Sequence, residues 1–192
     1  MRAAIFQRGH FLLRSGLHSP DYIQIALLLQ DPVETARVCG ELADRFRHLR
    51  VDVVVGPALG AVVIAYEAAR HLGARAMWTE RVDGQMMLRR SFAVRPGERV
   101  LIVEDVVTTG GSVREVRRAV EAEGGRVVAI GAIVDRSGTT LDFGVPYVAT
   151  LVTDETKTYQ PDACPLCRDG VPLTKPGSRT TATLNEAQTA QT

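Results

Sequence analysis

Three cysteines in 192 residues are too few for the dense disulfide framework of a small secreted scaffold. No apolar run approaches the ~20 residues of a membrane span. Met1 to His10 holds no hydrophobic stretch of the kind a signal peptide needs, so none is expected. Charge of one sign is missing too: 23 Lys+Arg against 22 Asp+Glu leave a formal net charge of +1. A dedicated nucleic-acid binder needs a surplus of Lys and Arg, so neither nucleic acid nor membrane is an expected partner. What is present is an ordinary globular mix, 45% hydrophobic and 23% charged. A chain of this length buries a sizeable core. The expectation is a cytoplasmic protein with one domain over residues 1–175. Residues 176–192 form a Thr-, Ala- and Gln-rich tail with little to bury, expected to be disordered.

Five segments read as strands: Val51–Val55, Ala74–Thr79, Val100–Val103, Val127–Val134 and Tyr147–Val152. Near-continuous apolar strands are what a parallel sheet covered on both faces requires. Helical patterns alternate with them. Asp31-Pro32-Val33-Glu34 is a helix start with an N-cap acid, Pro at the first helical position and a Glu placed to complete a capping box. Val33, Ala36, Leu42, Ala43, Phe46 and Leu49 then supply an apolar stripe. A second helix runs from Ala61 to Leu72 and closes at Gly73; a third runs from Val113 to Glu123 and closes at Gly124-Gly125. This alternation predicts an α/β fold with a mainly parallel central sheet and helices on both faces. Glu80–Arg99 interrupts the rhythm with five arginines against three acids, and Asp83-Gly84 is a hairpin turn signal. Such an excursion reads either as a mobile loop over an anionic ligand or as a solvated hairpin.

The strongest chemical signal is Val100-Leu101-Ile102-Val103-Glu104-Asp105-Val106-Val107-Thr108-Thr109-Gly110-Gly111-Ser112, followed at once by a helix. Gly110 and Gly111 let the backbone approach a ligand closely. The helix start aims unpaired N–H groups and a positive dipole end at an anion. Thr108, Thr109 and Ser112 add hydroxyl donors. A phosphate fits this turn. Glu104 and Asp105 would repel it, and suit sugar hydroxyls, a metal or a developing cation. The expected ligand therefore carries both a phosphate and a ribose. The Walker A lysine is missing, and so is the G-x-G-x-x-G pattern.

This stretch resembles the phosphoribosyl diphosphate (PRPP) motif of type I phosphoribosyltransferases. Three further segments resemble the orotate phosphoribosyltransferases within that group, over about residues 1–175. They are Phe11-Leu12-Leu13-Arg14-Ser15-Gly16-Leu17-His18-Ser19-Pro20-Asp21-Tyr22, Gly56-Pro57-Ala58-Leu59-Gly60 and Ile133-Val134-Asp135-Arg136. The resemblance implies the type I phosphoribosyltransferase fold with a small N-terminal substrate hood and a flexible hairpin loop. It implies transfer of ribose 5-phosphate from PRPP to orotate in pyrimidine biosynthesis, with Mg²⁺ and in a homodimer with shared active sites. By the same resemblance Glu104 and Asp105 hold the ribose hydroxyls. Val106 and Val107 lead into a cradle, Thr108 to Ser112, for the 5′-phosphate. Pro57, Ala58 and Arg81 face the diphosphate, and Arg81 joins Glu104 and Asp105 as catalytic. Thr108, Arg136, Arg14 and Tyr22 meet orotate. Metal ligands stay unassigned.

A guanidinium fork suits the orotate carboxylate, but Arg136 also has an ion pair with Asp135 or Asp142 open to it. Tyr22 has core packing open to it. Two departures from the family pattern stand out. Its mobile loop usually carries lysines, and the corresponding region here has none. Gly60 also stands where lysine is common. A purine phosphoribosyltransferase and a non-catalytic PRPP sensor are the alternatives. Cys164-Pro165-Leu166-Cys167 offers half of a zinc site. With Cys39 far upstream and unpaired, a structural or incidental role is favoured. Among the histidines, His18 is the one worth testing, because it lies in the substrate-like segment.

Overall fold

The computed structural model describes residues 6–13, 16–152 and 157–176. The chain divides into two compact units. The expected tail lies outside the described residues, apart from its first position.

The larger unit is an α/β layer structure. Its elements are α1 (Ala26–Leu29), α2 (Pro32–Asp44), β3 (Val53–Pro57), α3 (Val62–Leu72), β4 (Arg75–Val82), β5 (Gln85–Leu88), β6 (Arg99–Val107), α4 (Gly111–Ala122), β7 (Arg126–Asp135) and β8 (Tyr147–Val152). The sheet order is β5-β4-β3-β6-β7-β8. All neighbours pair parallel except β5, which returns antiparallel on β4. All five apolar runs form strands, and the Asp83-Gly84 turn closes the β4–β5 hairpin with both residues at positive φ, 48° and 81°.

Both faces of the sheet are covered. On one, Val53, Val55, Val100, Ile102 and Ile130 pack with Val113, Val116 and Val120 of α4 and with Phe143. On the other, Leu42 and Phe46 lie against Gly131 of β7. Every residue of β3 is buried, which accounts for its unbroken apolar run.

Local physics shifts several boundaries. Strand β6 continues past Val103 through both acids to Val107, because β7 runs beside it and its ladder carries the backbone. Helix α4 starts at Gly111, two residues before the expected Val113, because Gly110 turns the chain in the left-handed region. Helix α2 ends at Asp44, and a 3₁₀ turn at Arg47–Leu49 follows. Asp31 caps α2 as expected, accepting from the Val33 and Glu34 amides at 3.0 and 3.2 Å. The capping box does not close. The Asp31 amide donates to Leu28 O at 3.1 Å, so Glu34 turns to Arg37 instead. Val33, expected in the apolar stripe, is 77% exposed, because it sits in the first turn beside the cap.

The smaller unit holds β1 (Phe6–Leu12) and β2 (His18–Ile23), paired antiparallel, and a C-terminal segment with a short helix, α5 (Pro165–Arg168). Among the described residues no helix is long and apolar enough to cross a membrane.

Ile102 is fully buried at the centre of the sheet. Ile102→Ala should cost about 2–5 kcal/mol, read as a lower urea midpoint at unchanged slope. A loss below about 1 kcal/mol would mean that this strand is not the centre of the cooperative core.

Candidate active site

The parallel register assembles the site at one edge of the sheet, where strands end at their carboxyl side. Val107 on β6 pairs with Asp135 on β7. The Arg136 amide then donates to Val107 O at 2.8 Å. Residues 107–108 and 136 are thereby neighbours, although 28 positions apart. On the other side of β6, the pairing of Val55 with Ile102 carries the Gly56–Gly60 loop toward the acidic pair. Gly60 comes so close that a Cβ there would lie 2.2 Å from Asp105 Oδ2. A lysine in place of Gly60 would project into that carboxylate, so the glycine belongs to this packing. The Ala58–Leu59 peptide in the same loop is cis.

The turn itself has the geometry of an anion cradle. Gly110 sits at φ 74° and offers no capping side chain, α4 has no acid in its first turn, and only the Gly111 amide is taken, by Thr109 Oγ1 at a long 3.4 Å. Helix α2 is the contrast, since Asp31 already takes two of its free amides. The α4 start thus keeps N–H groups and a positive dipole end for an outside anion. Glu104 and Val106–Val113 line a concavity of about 50 Å³ at this turn. Thr108, Thr109 and Ser112 are exposed at its rim.

Arg114, not expected from the sequence, braces the turn from behind. Its guanidinium donates to Thr109 O at 3.1 Å and Asp142 O at 3.2 Å, and lies 4.8 Å from the centre of the Phe143 ring. The signal available was its place one helical turn after Gly110. A Cβ on Gly110 would meet Arg114 and Phe143 at 2.7 and 2.8 Å, so both the φ and the space call for glycine.

The two acids are unequal. Glu104 is 6% exposed. Burial first, and the adjacent Asp105 carboxylate second, push its pKa up to about 9. Asp105 is half-buried, and its Oδ1 accepts from the Val106 amide at 2.7 Å. Asp135 accepts from Tyr147 Oη at 2.9 Å and from the Ser137 amide at 2.7 Å, which secures the base of the residue-136 turn. Burial and this carboxylate push the Tyr147 phenol up.

The remaining expected residues are placed differently. Arg81 donates to Gly84 O at 2.5 Å and to Glu115 on α4 at 2.6 Å. Arg90 and Arg89 both pair with Glu80. The basic excursion therefore begins as a formed hairpin, and Arg81, Arg89 and Arg90 are matched to nearby acids. Tyr22 lies in the smaller unit, its ring 5.6 Å from that of Phe11. Arg14 lies outside the described residues.

The family model for the phosphoribosyl transferase domain matches residues 29–148. The orotate phosphoribosyltransferase of Caldanaerobacter subterraneus subsp. tengcongensis is 52% identical over 175 residues, 91% of this chain and 92% of that protein. The chain belongs to the orotate phosphoribosyltransferase family. A second relative, the orotate phosphoribosyltransferase of Caldicellulosiruptor bescii, is 54% identical over 89% of this chain and 90% of its own length. Among solved structures, orotate phosphoribosyltransferase from Aeropyrum pernix superposes with a TM-score of 0.65 at 26% identity, covering 78% of this chain and 88% of that one. The type I phosphoribosyltransferase fold expected from the sequence is thus the observed one, including the small antiparallel N-terminal sheet. The edge that carries the turn, the acidic pair and residue 136 lies where open α/β sheets bind ligands.

The raised pKa of Glu104 sets a stability trend. An unfolded Glu titrates near 4.3, and here the folded value is about 9. Between these values the folded state binds more protons, so its stability falls as pH rises. Glu104→Gln removes this dependence. The melting temperature of the variant minus that of the parent should grow from about pH 5 to about pH 9. A flat difference would show that Glu104 is already ionised in the ligand-free fold.

Proposed function

We propose that this chain transfers the 5-phosphoribosyl group of PRPP to orotate, giving orotidine 5′-monophosphate and diphosphate. One observation carries the reading beyond family membership. The β6–β7 register places residue 136, an arginine, beside the start of an uncapped phosphate-type turn. One end of that arrangement suits a sugar phosphate, and the other suits an anionic base.

In this reading the amides from Thr108 to Ser112 hold the 5′-phosphate, and Glu104 and Asp105 take the ribose hydroxyls. Hydroxyl donors and the cationic character that develops at C1′ both favour ionised carboxylates, so binding draws Glu104 toward its charged form. Arg136 pairs with the orotate carboxylate, with Thr108 beside it. The base nitrogen attacks C1′ as the C1′–O bond to diphosphate breaks. Deprotonated orotate is already nucleophilic, so no strong general base is required. By the family resemblance, Arg14 and Tyr22 are further candidates for orotate recognition. Arg81, with Pro57 and Ala58, serves the diphosphate; Arg81 must first give up Glu115.

Mg²⁺, bound with PRPP, would neutralise charge on the leaving diphosphate. Of this chain's residues, Glu104 and Asp105 would be the carboxylates able to hold it, and burial favours the protonated form of Glu104. Free thiols and a low cysteine count fit a reducing compartment, the cytoplasm. A homodimer has a candidate face in the groove of about 470 Å³ between β5 and α4, bordered by Met86, Met87, Leu88, Ala119 and Ala122.

The direct test is orotate consumption, followed by ultraviolet absorbance with PRPP and Mg²⁺, beside parallel reactions with adenine, guanine, hypoxanthine and uracil. Turnover of orotate alone is expected. Turnover of a purine instead would overturn the substrate assignment. Silence with every base, while PRPP still raises the melting temperature, would indicate a PRPP-binding regulator.

Arg136→Ala should raise KM for orotate about 10- to 100-fold, the worth of a charge-assisted hydrogen bond, and leave PRPP binding near the parent value. Equal loss of both would assign Arg136 a structural role.

A further inference from the structure

Among the described residues, the smaller unit has little apolar interior: its buried side chains are Phe11, Ile23 and Cys164, together with the polar His10, His18 and Ser19. A small unit with so few buried apolar side chains commonly gains stability from a disulfide or a metal.

Four ligand-type atoms converge in this unit. His10 Nε2 lies 2.9 Å from His18 Nδ1, 3.5 Å from Cys164 Sγ and 3.7 Å from Cys167 Sγ. Cys167 Sγ lies 3.3 Å from His18 Nδ1. All four atoms fall within 4.8 Å of one another. A tetrahedron with metal–sulfur arms near 2.3 Å and metal–nitrogen arms near 2.0–2.1 Å has edges of about 3.3–3.8 Å. Three sulfur–nitrogen separations, 3.3, 3.5 and 3.7 Å, match those edges, and the nitrogen–nitrogen separation of 2.9 Å is shorter.

The surroundings orient the ligands. His10 Nδ1 lies 2.7 Å from the Val171 carbonyl oxygen. A carbonyl only accepts, so Nδ1 carries the hydrogen and Nε2 presents a bare lone pair to the cluster. This is the outer hydrogen bond that metal-binding imidazoles characteristically make. The backbone holds both halves in place. His18 exchanges amide hydrogen bonds with Tyr159 at 2.9 and 2.8 Å, and Thr174 does the same with Leu12 and His10 at 2.9 and 2.7 Å. Cys164 and Cys167 flank two residues, the usual knuckle spacing of zinc-binding cysteine pairs.

We propose that His10, His18, Cys164 and Cys167 form a closed structural zinc site that staples the C-terminal segment to the β1–β2 hairpin. Two thiolates and two imidazoles in tetrahedral array select zinc over harder cations. On binding, each thiol gives its proton to solvent, and the two thiolates balance the Zn²⁺ charge, which suits a centre whose other three ligands are buried and whose Cys167 is exposed. Four protein ligands leave no position for substrate, so the role is stability rather than catalysis.

The test uses the full chain, purified under reducing conditions without chelator. Metal analysis should find one equivalent of zinc per chain. Cobalt in its place should show the intense visible bands of tetrahedral Co²⁺ and thiolate charge transfer in the near ultraviolet. Cys167→Ser and His18→Asn should each lower zinc content sharply. Cys39→Ser should leave it unchanged, because Cys39 lies buried in the larger unit. Should the ligand variants fail to fold, titrating the parent with a zinc chelator should make the Tyr159–Thr174 segment susceptible to protease. Background zinc together with no cobalt spectrum, or a Cys164–Cys167 disulfide in freshly purified protein, would overturn the proposal.

Discussion

Parallel strand pairing sets which residues meet at the carboxyl edge of the sheet. The β6–β7 ladder matches Val107 with Asp135, and the β3–β6 ladder matches Val55 with Ile102. Each strand then hands the chain to a loop at the same level. The acidic pair, the phosphate-type turn, the Gly56–Gly60 loop and Arg136 share that level for this reason. A one-residue slip of β7 would carry Arg136 away from the Val107 carbonyl and turn the apolar side chains of β7 to the wrong faces. The packing that prevents the slip is the double cover of the sheet, with α4 on one face and Leu42 and Phe46 on the other.

The electrostatics of the edge follow from what that packing buries and what it leaves open. Glu104 lies on a strand buried on both faces, so its carboxylate loses water and gains Asp105 as a like-charged neighbour. Three residues further on, the chain leaves the sheet, and the α4 start emerges with no capping side chain at Gly110 and only the Gly111 amide taken, by Thr109. A proton-holding acid and an open positive helix end therefore stand a few residues apart. The first suits neutral hydroxyls that sharpen the charge on binding, and the second suits a phosphate. Arg114 and Phe143 hold the turn from behind without occupying it.

The β4–β5 hairpin shows how a charge count misleads when it is read along the chain. Its arginines look like a surplus facing a ligand. In space, Glu80 takes Arg89 and Arg90, and Glu115 of α4 takes Arg81. Glu115 lies 34 residues beyond Arg81, too far in sequence for any local pattern to pair them. In the smaller unit the same principle runs the other way. A C-x-x-C that looked half-made acquires two histidines from strands more than 140 residues earlier.

The sequence alone determined the elements whose signal is local. Apolar runs marked β3, β4, β6, β7 and β8; β3, β6 and β7 are buried on both faces and so nearly apolar throughout, while β4 and the edge strand β8 are only partly buried. Asp31 and Pro32 marked the start of α2, and the acid-acid-hydroxyl-glycine series marked the ligand turn, because cap and turn chemistry act within a few residues. Hairpin strands β1 and β2 escaped, because His10, Arg8 and Asp21 interrupt any simple alternation. Tertiary structure decided what depends on a partner distant in sequence. It set the length of β6, the bracing by Arg114, the raised pKa of Glu104 and the meeting of His10 and His18 with Cys164 and Cys167. Each of these rests on burial or proximity between segments that only the folded chain brings together.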